Sequence, residues 1–447
     1  MNKKYLKYIV LFIYYFICLT TVYFVFRMDT YNNYGFSYGI VTGSKPYVDF
    51  NPIVPLFGPF LYSILLLFNH SIIVFYFEQT ILLLIMTYLL FKILDNKAWI
   101  IIVLLFLPII LPFSYCIFPG YNFLLLFELI LLLFLNKYNK SDKLIGLVAG
   151  ITIITKHNIG AFIFIITILE TIKDKKKLIN RFLFGIIPGI LFLIIILLYG
   201  NLYEFIDFCL LGVSDFIDNK SIDISSIIMI IIPLILMIIK FIKDKNKNIS
   251  YFYLLAYLFV VFPLFDIYHI CLFLLFWIIV FLYNSNFIIK NKYLPLISFI
   301  TINILIISWI FISFDYYKKF KFYNYDNFEI VLLMPREKKN IDKLNKYLKN
   351  KKYTIMSDPS KTIFMRASNN EKLDIFMVLF KGNYGKEGIN KVYKEINKRN
   401  NFYIVIDTSV NCAGKKRCQY LEEVPKYIMN NYKLVKEIDY YKIYYKK

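Results

Sequence analysis

The chain has 447 residues, 59% hydrophobic and 18% charged, with a formal net charge of +22. An ordinary soluble domain carries roughly 25% charged residues, and no single soluble core absorbs apolar runs of about 20 residues such as those that recur between Leu6 and Ser313. These values exclude a soluble globular enzyme and specify a polytopic α-helical membrane protein.

Charge divides the chain in two. Residues 1–314 hold 23 basic and 15 acidic residues, and residues 315–447 hold 29 and 15. We therefore expect a multi-span domain over 1–314 and a soluble, basic α/β domain over 315–447. In a soluble chain such a charge would suggest nucleic acid; here the expected partners are membrane lipids and no nucleic acid. Polyanion binding, solubility and attraction to a lipid surface are the open readings of the basic tail, and an AT-rich genome also raises Lys, Asn, Ile and Tyr.

In chain order, Asn2-Lys3-Lys4 precedes an apolar stretch too long for a cleaved signal peptide, which reads as a retained first span. Eleven spans are expected, at 6–26, 70–91, 98–114, 120–136, 144–155, 159–172, 178–199, 225–242, 250–265, 270–285 and 294–313. The segment 55–68 is too short to cross and reads as a juxtamembrane helix. Lysine clusters mark the cytoplasmic loops: 19 basic residues of 1–314 fall on one side, and four, Arg27, Lys45, Lys156 and Lys220, on the other. By the positive-inside rule the long loop 27–54 and the tail are extracytoplasmic, and the protein is a multi-pass protein of the cell membrane. Within the loop, Tyr31 to Ile40 could form a short interfacial helix.

Two spans are short, and they flank Lys156-His157-Asn158. Charge at membrane depth survives where it is buried in protein or lines a wet cavity, so the triplet marks a cavity open to the outside; the alternative is a tight turn with a snorkelling lysine. Asp29 and Asp49 are the only acids of loop 27–54. Tyr121, Asn122, Asp207, Asp215, Asp218, Asp223, Asp266 and His269 fall on the same expected side. Carboxylates, an amide, a histidine and a lysine facing one cavity can hold a divalent cation, anchor a phosphate and deprotonate a hydroxyl. A carrier would place such groups near the midplane, often in repeated halves, and no repeat is found. Glu78, Glu128 and Glu170 lie within spans, where helix pairing explains them equally well.

In the tail, Phe328 to Met334 and Tyr403 to Asp407 read as buried strands, and Lys338 to Asn350 and Lys386 to Arg399 as amphipathic helices, which together suggest an α/β sandwich. The glycines of 382–388 precede a helix and could bind an anion or simply enter that helix. Cys18, Cys116, Cys209 and Cys271 read as packing residues. Cys412 and Cys418 share one loop and can pair if the tail is outside; in a reducing compartment they would stay free or bind metal.

Asp29-Thr30-Tyr31, Gly43-x-x-Pro46-Tyr47-x-Asp49-Phe50 and the Pro52 to Pro55 step resemble the first external loop of the C-type membrane glycosyltransferases. That superfamily includes the protein O-mannosyltransferases (family 39) and the aminoarabinose transferases of lipid A (family 83). Thr155-Lys156-His157-Asn158-x-Gly160 and, at the end of the tail, Asn431-Tyr432-x-Leu434-Val435 with Ile443-Tyr444 resemble the same group. The chain departs from it at Asp29-Thr30, where many relatives have two adjacent acids, and at Tyr121-Asn122, where an acid is often found. The resemblance implies transfer of a sugar from a polyprenyl phosphate to an envelope glycan, lipid or protein, with inversion at the anomeric carbon. It implies that Asp29 acts as base or metal ligand with help from Asp49, the cation being Mg, Mn or Ca. Lys156, His157, His269, Asn122 and Tyr121 would then bind the donor phosphate. A flippase of lipid-linked glycans and a noncatalytic envelope scaffold are the competing classes.

Overall fold

The computed structural model describes residues 3–23, 28–52, 54–110, 120–212, 224–244, 248–262, 265–285, 293–325, 328–410 and 419–446. Most of the first 317 residues are helical: α1 (Lys3–Tyr23), α2 (Met28–Val41), α3 (Phe57–Ser63), α4 (Ile72–Leu94), α5 (Ala98–Ile110), α6 (Tyr121–Lys137), α7 (Asp142–Thr155), α8 (His157–Leu169), α9 (Lys175–Tyr199), α10 (Leu202–Ile206), α11 (Ile224–Lys243), α12 (Ser250–Tyr257), α13 (Ile267–Tyr283) and α14 (Leu294–Tyr317). Three segments, Ile72–Phe106, Lys175–Tyr199 and Ile224–Lys243, are long and apolar enough to cross a membrane. In α9 and α11 only 22% of the apolar window is buried inside the protein. A helix apolar on nearly all sides that is not buried in a core is suited to lipid.

Loop 28–54 contains the expected helix, as α2, and the segment 55–68 forms α3 and a 3₁₀ turn at Leu65–Leu67. Several expected bounds shift. The last helix runs three residues past the expected boundary at 314, to Tyr317, and the segment expected at 250–265 is α12 followed by a 3₁₀ turn ending at Val261. Residues 111–114 of the third expected span lie outside the described residues.

Helices α7 and α9 pack backbone to backbone. A Cβ on Gly146 would fall on the Arg181 carbonyl and one on Gly150 on the Gly185 carbonyl, so Gly146-x-x-x-Gly150 acts as a small-residue seam. Gly160 does the same between α8 and the Thr152 carbonyl. This closeness fixes the α7–α8 reversal at Lys156. The two helices, 14 and 13 residues long, span about 21 and 20 Å, short of a ~30 Å hydrocarbon core.

The ends of the helical part differ in chemistry. At one end Lys97 Nζ donates to the Leu282 and Ser285 carbonyls, and Lys137 Nζ to those of Lys92 and Ile93. At the other lie the starts of α4, α6 and α13 and the tail.

The tail holds a β1–β2 hairpin (Lys321–Tyr325, Glu329–Leu333), α15 (Pro335–Leu348), β3 (Tyr353–Met356), α16 (Pro359–Ser368), α17 (Ile389–Asn397), β4 (Phe402–Asp407), α18 (Gln419–Asn431), β5 (Lys433–Ile438) and β6 (Tyr441–Lys446). Its four-stranded sheet has order β3-β4-β6-β5, with β3 parallel to β4 and the other pairs antiparallel. Alternation along β4 sends Ile404 and Ile406 into one apolar cluster, with Val392, Ile396, Val424 and Ile428 of α17 and α18. Val405 goes into the other, with Ile341, Leu344 and Ile363 of α15 and α16. Helices thus cover both faces, as a sandwich requires. The expected strand at 328–334 is present as β2, but it pairs only with β1 and does not join this sheet. Phe328 instead packs its ring between Tyr31 and Tyr34 of α2 and Phe364 of α16.

The tail is anchored on α2. Gly35 and Gly39, one turn apart, leave room for Ile363 and Leu373. Tyr38 Oη donates to the Glu371 carbonyl at 3.0 Å, and Ser44 Oγ accepts from Leu373 N at 3.2 Å.

Candidate functional site

Three helix ends bring polar side chains together at the tail end of the helical part. Asn122 stands in the first turn of α6, Lys156 at the reversal between α7 and α8, and His269 in the first turn of α13. Lys156 Nζ donates to Asn122 Oδ1 at 2.9 Å, Asn122 Nδ2 lies 3.5 Å from His269 Nε2, and His269 Nδ1 lies 2.7 Å from Asp266 Oδ1. With Nδ1–H donating to Asp266, Nε2 carries the lone pair that accepts from Asn122. Asp266 also caps α13, accepting from His269 N at 2.9 Å. One carboxylate therefore both starts the helix and orients the imidazole.

Lys156 is 7% exposed, Asn122 3% and His269 8%. The ammonium lies 5.4 Å from the centre of the Tyr121 ring. Burying an ammonium is costly unless it is paired, and Lys156 makes no ion pair among the described residues. It is not a snorkelling side chain. Two of its three N–H donors are left for an acceptor that the described residues do not supply.

The other expected site residues lie differently. Asp49 Oδ2 accepts from Lys45 N at 2.7 Å, and Asp49 N donates to the Lys45 carbonyl at 2.8 Å. Its carboxylate closes a turn that holds Tyr47 at φ 60°, and no described contact joins it to the Lys156 chain. His157 Nδ1 is buried without a partner among the described residues. Asp29 belongs to the first turn of α2, but its side chain lies outside the described residues. Four residues on, Asn33 Nδ2 is 3.4 Å from where a Cβ on Gly120 would sit, so this end of α2 adjoins the start of α6. Asp215, Asp218, Asp223, Cys116, Cys412 and Cys418 also lie outside the described residues. No group of three or more His, Cys, Asp or Glu that could hold a metal ion occurs among the described residues.

The acids within the helices behave as pairing groups in part. Glu170 accepts from Arg181 Nη1 at 2.5 Å, and Glu128 Oε1 from Thr155 Oγ1 at 2.6 Å, beside the Lys156 reversal. Glu128 Oε2 and Glu78 Oε2 are buried without partners among the described residues.

The glycine-rich turn 382–388 does meet an anion, and the anion is Asp207. Lys386 N donates to Asp207 Oδ1 at 2.9 Å; Lys391 pairs with Glu204 and, at 3.4 Å, with Asp207 Oδ2. Gly385 has φ +64°, and a Cβ there would strike the same carboxylate. The pairing was invisible locally because the partners are 179 residues apart. Asp266 as orienter of His269 did leave a trace, an acid three residues before a histidine at a helix start.

Elsewhere in the tail, paired charges are structural. Burial opposes ionisation of Asp374, but Arg399 at 2.7 and 3.0 Å, together with Arg366, holds its carboxyl below the ordinary value. Burial likewise opposes the charge of Lys361, but Asp407 and Glu337 move its pKa upward. Comparison with family models, with curated proteins and with solved structures finds no match for this chain.

Proposed function

We propose that the protein is an integral membrane glycosyltransferase that moves a sugar from a polyprenyl-phosphate donor to an extracytoplasmic glycan, lipid or protein. The observation that carries this reading is the buried Lys156 ammonium with unfilled donors, linked through Asn122 and His269 to Asp266. A phosphate is the anion such a site suits, because it supplies several acceptor oxygens and balances the cation. In this reading the chain crosses the cell membrane eleven times, with the lysine-rich end cytoplasmic and the tail outside. Both sides of that assignment follow from the 19 to 4 division of basic residues.

In the reaction the acceptor oxygen forms its bond to the anomeric carbon as the bond from that carbon to the phosphate oxygen breaks, inverting the centre. The electron pair leaves with the polyprenyl phosphate. Lys156 stabilises the charge that develops there, and His269, held by Asp266, accepts from Asn122 Nδ2 and so keeps the Asn122 Oδ1 turned toward the Lys156 ammonium. The acceptor's proton goes to a carboxylate, and Asp29, at the membrane boundary end of α2, is assigned that role. Removing a positioned base slows a reaction by about 10²- to 10⁴-fold.

The test is transfer of radiolabelled sugar by the purified full chain in nanodiscs, with donor lipids extracted from the native membrane and products identified by mass spectrometry. We expect transfer by the wild type, a loss of about 10²- to 10³-fold in Lys156→Met, and a loss in the general-base range in Asp29→Asn. Movement of the donor lipid between leaflets with no transfer would identify a flippase instead.

A further inference from the structure

The basic excess of the tail is not spread evenly. A groove of about 900 Å³ runs between α15 and β5, lined on the helix by Arg336, Lys339, Lys343 and Lys346 and on the strand by Lys436. Two acids also line it, and both are already matched. Asp439 accepts from Arg336 Nε and Nη2 at 2.6 and 2.5 Å and from Asn340 at 2.7 Å, and Glu437 pairs with Lys442 at 3.6 Å. Lys339, Lys343, Lys346 and Lys436 are exposed and make no ion pair among the described residues. The three helix lysines follow the i, i+4, i+7 spacing, which sets them along one face over about 10 Å.

We propose that this groove binds a linear polyanion with repeating phosphate charges, one strand lying between α15 and β5. Four mobile ammonium groups spread along a groove suit repeated charges, whereas one isolated phosphate is held by a guanidinium fork or converging backbone N–H groups. Arg336, the one guanidinium present, is committed to Asp439. A membrane surface would favour cations on a flat or convex face; here they line both walls of a concave one. A nucleic acid strand needs aromatic faces for its bases. Among the described residues the single lining aromatic is Tyr347, whose ring is covered by Lys351 Nζ at 3.3 Å. The inference stands apart from the transferase reading, since binding requires no sugar transfer.

The experiment measures binding of fluorescent inorganic polyphosphate to the full chain in neutral-lipid nanodiscs, over a range of salt. The expected result is saturable binding whose affinity falls steeply with salt. A variant carrying Lys339→Gln, Lys343→Gln, Lys346→Gln and Lys436→Gln should bind about tenfold or more weakly, with a log–log salt slope flatter by about 3 and an unchanged melting temperature. A control carrying Lys394→Gln, Lys398→Gln and Lys426→Gln, on α17, just after it and on α18 across the sheet, should bind as the wild type does. Absence of saturable binding, or an equal loss in the control, overturns the proposal. So does a single-stranded oligonucleotide that binds more tightly than polyphosphate of equal charge. Protection of the four lysines from acylation by phosphatidylglycerol vesicles, but not by polyphosphate, assigns the groove to a membrane surface and also overturns it.

Discussion

Gly385→Ala should loosen the tail from the helical part, and the size of the effect follows from two separate contacts. Gly385 sits at φ +64°, where an L side chain costs about 1–2 kcal/mol. The new methyl would also occupy the space of the Asp207 carboxylate, whose Oδ1 is 2.8 Å from the Cβ position. To make room the carboxylate must leave Lys386 N, and a hydrogen bond to a charged group is worth about 1.5–3 kcal/mol; Lys391, 3.4 Å from Asp207 and also paired with Glu204, keeps its other partner. The sum is about 2.5–5 kcal/mol for one substitution. Hydrogen exchange of residues 382–391 in the detergent-solubilised chain reads this as local opening, and 3 kcal/mol corresponds to about 100-fold faster exchange. In an Asp207→Ala background the methyl meets no carboxylate, so only the backbone strain of about 1–2 kcal/mol remains. The two substitutions should therefore fall short of additivity by about 1.5–3 kcal/mol. Strict additivity would refute the clasp, because it would mean that the turn and the carboxylate do not touch in solution.

Three further outcomes are expected. Gly150→Val should force α7 from α9 and lower the melting temperature through a cost of about 1–3 kcal/mol or more, whereas Gly189→Ala, with nothing within 4 Å of its Cβ, should raise stability by about 0.5–1 kcal/mol; equal effects would refute the seam. Asp374, whose pKa is lower in the folded chain than its ordinary value of 3.8, contributes stability that is present above about pH 4 and lost as pH falls toward its folded value; Asp374→Asn should flatten that acid limb in thermal melts, and an unchanged limb would remove the assignment. Asp266→Asn should weaken donor binding and slow sugar transfer together, because the His269 ring that holds Asn122 beside Lys156 loses its partner; donor affinity and transfer equal to the wild type would reduce Asp266 to a helix cap.

The sequence was most informative where a local rule governs. Helix α2 was legible over Tyr31 to Ile40, and α3 over 55–68, because breakers such as Gly43, Pro46 and Pro52 bound them. The alternation Ile404-Val405-Ile406 announced a strand covered on both faces. The grouping of Asn122, Lys156 and His269 on one side followed from counting lysines, but their hydrogen bonds did not, since they depend on how α6, α7 and α13 rotate about their axes. For α7 that rotation is set by the glycine seam at Gly146 and Gly150, whose partners on α9 no local pattern names. The strand at Phe328 to Met334 was legible, but its pairing with β1 outside the four-stranded sheet was not, because its apolar pattern is the same for any partner. What decided it was Phe328, drawn into the aromatic pocket between α2 and α16.

The clasp on Asp207 also has a biosynthetic consequence. Its donor is 179 residues downstream, so at roughly 5–20 residues per second the ribosome needs on the order of 10 to 40 s to make Lys386 after Asp207. During that interval Glu204 and Asp207 stand as two neighbouring carboxylates without the Lys391 ammonium that later joins them. The segment after α10 therefore acquires its final seat only once nearly nine-tenths of the chain exists, and a nascent chain stopped before the 382–391 region carries every helix of the first part yet leaves this seat open.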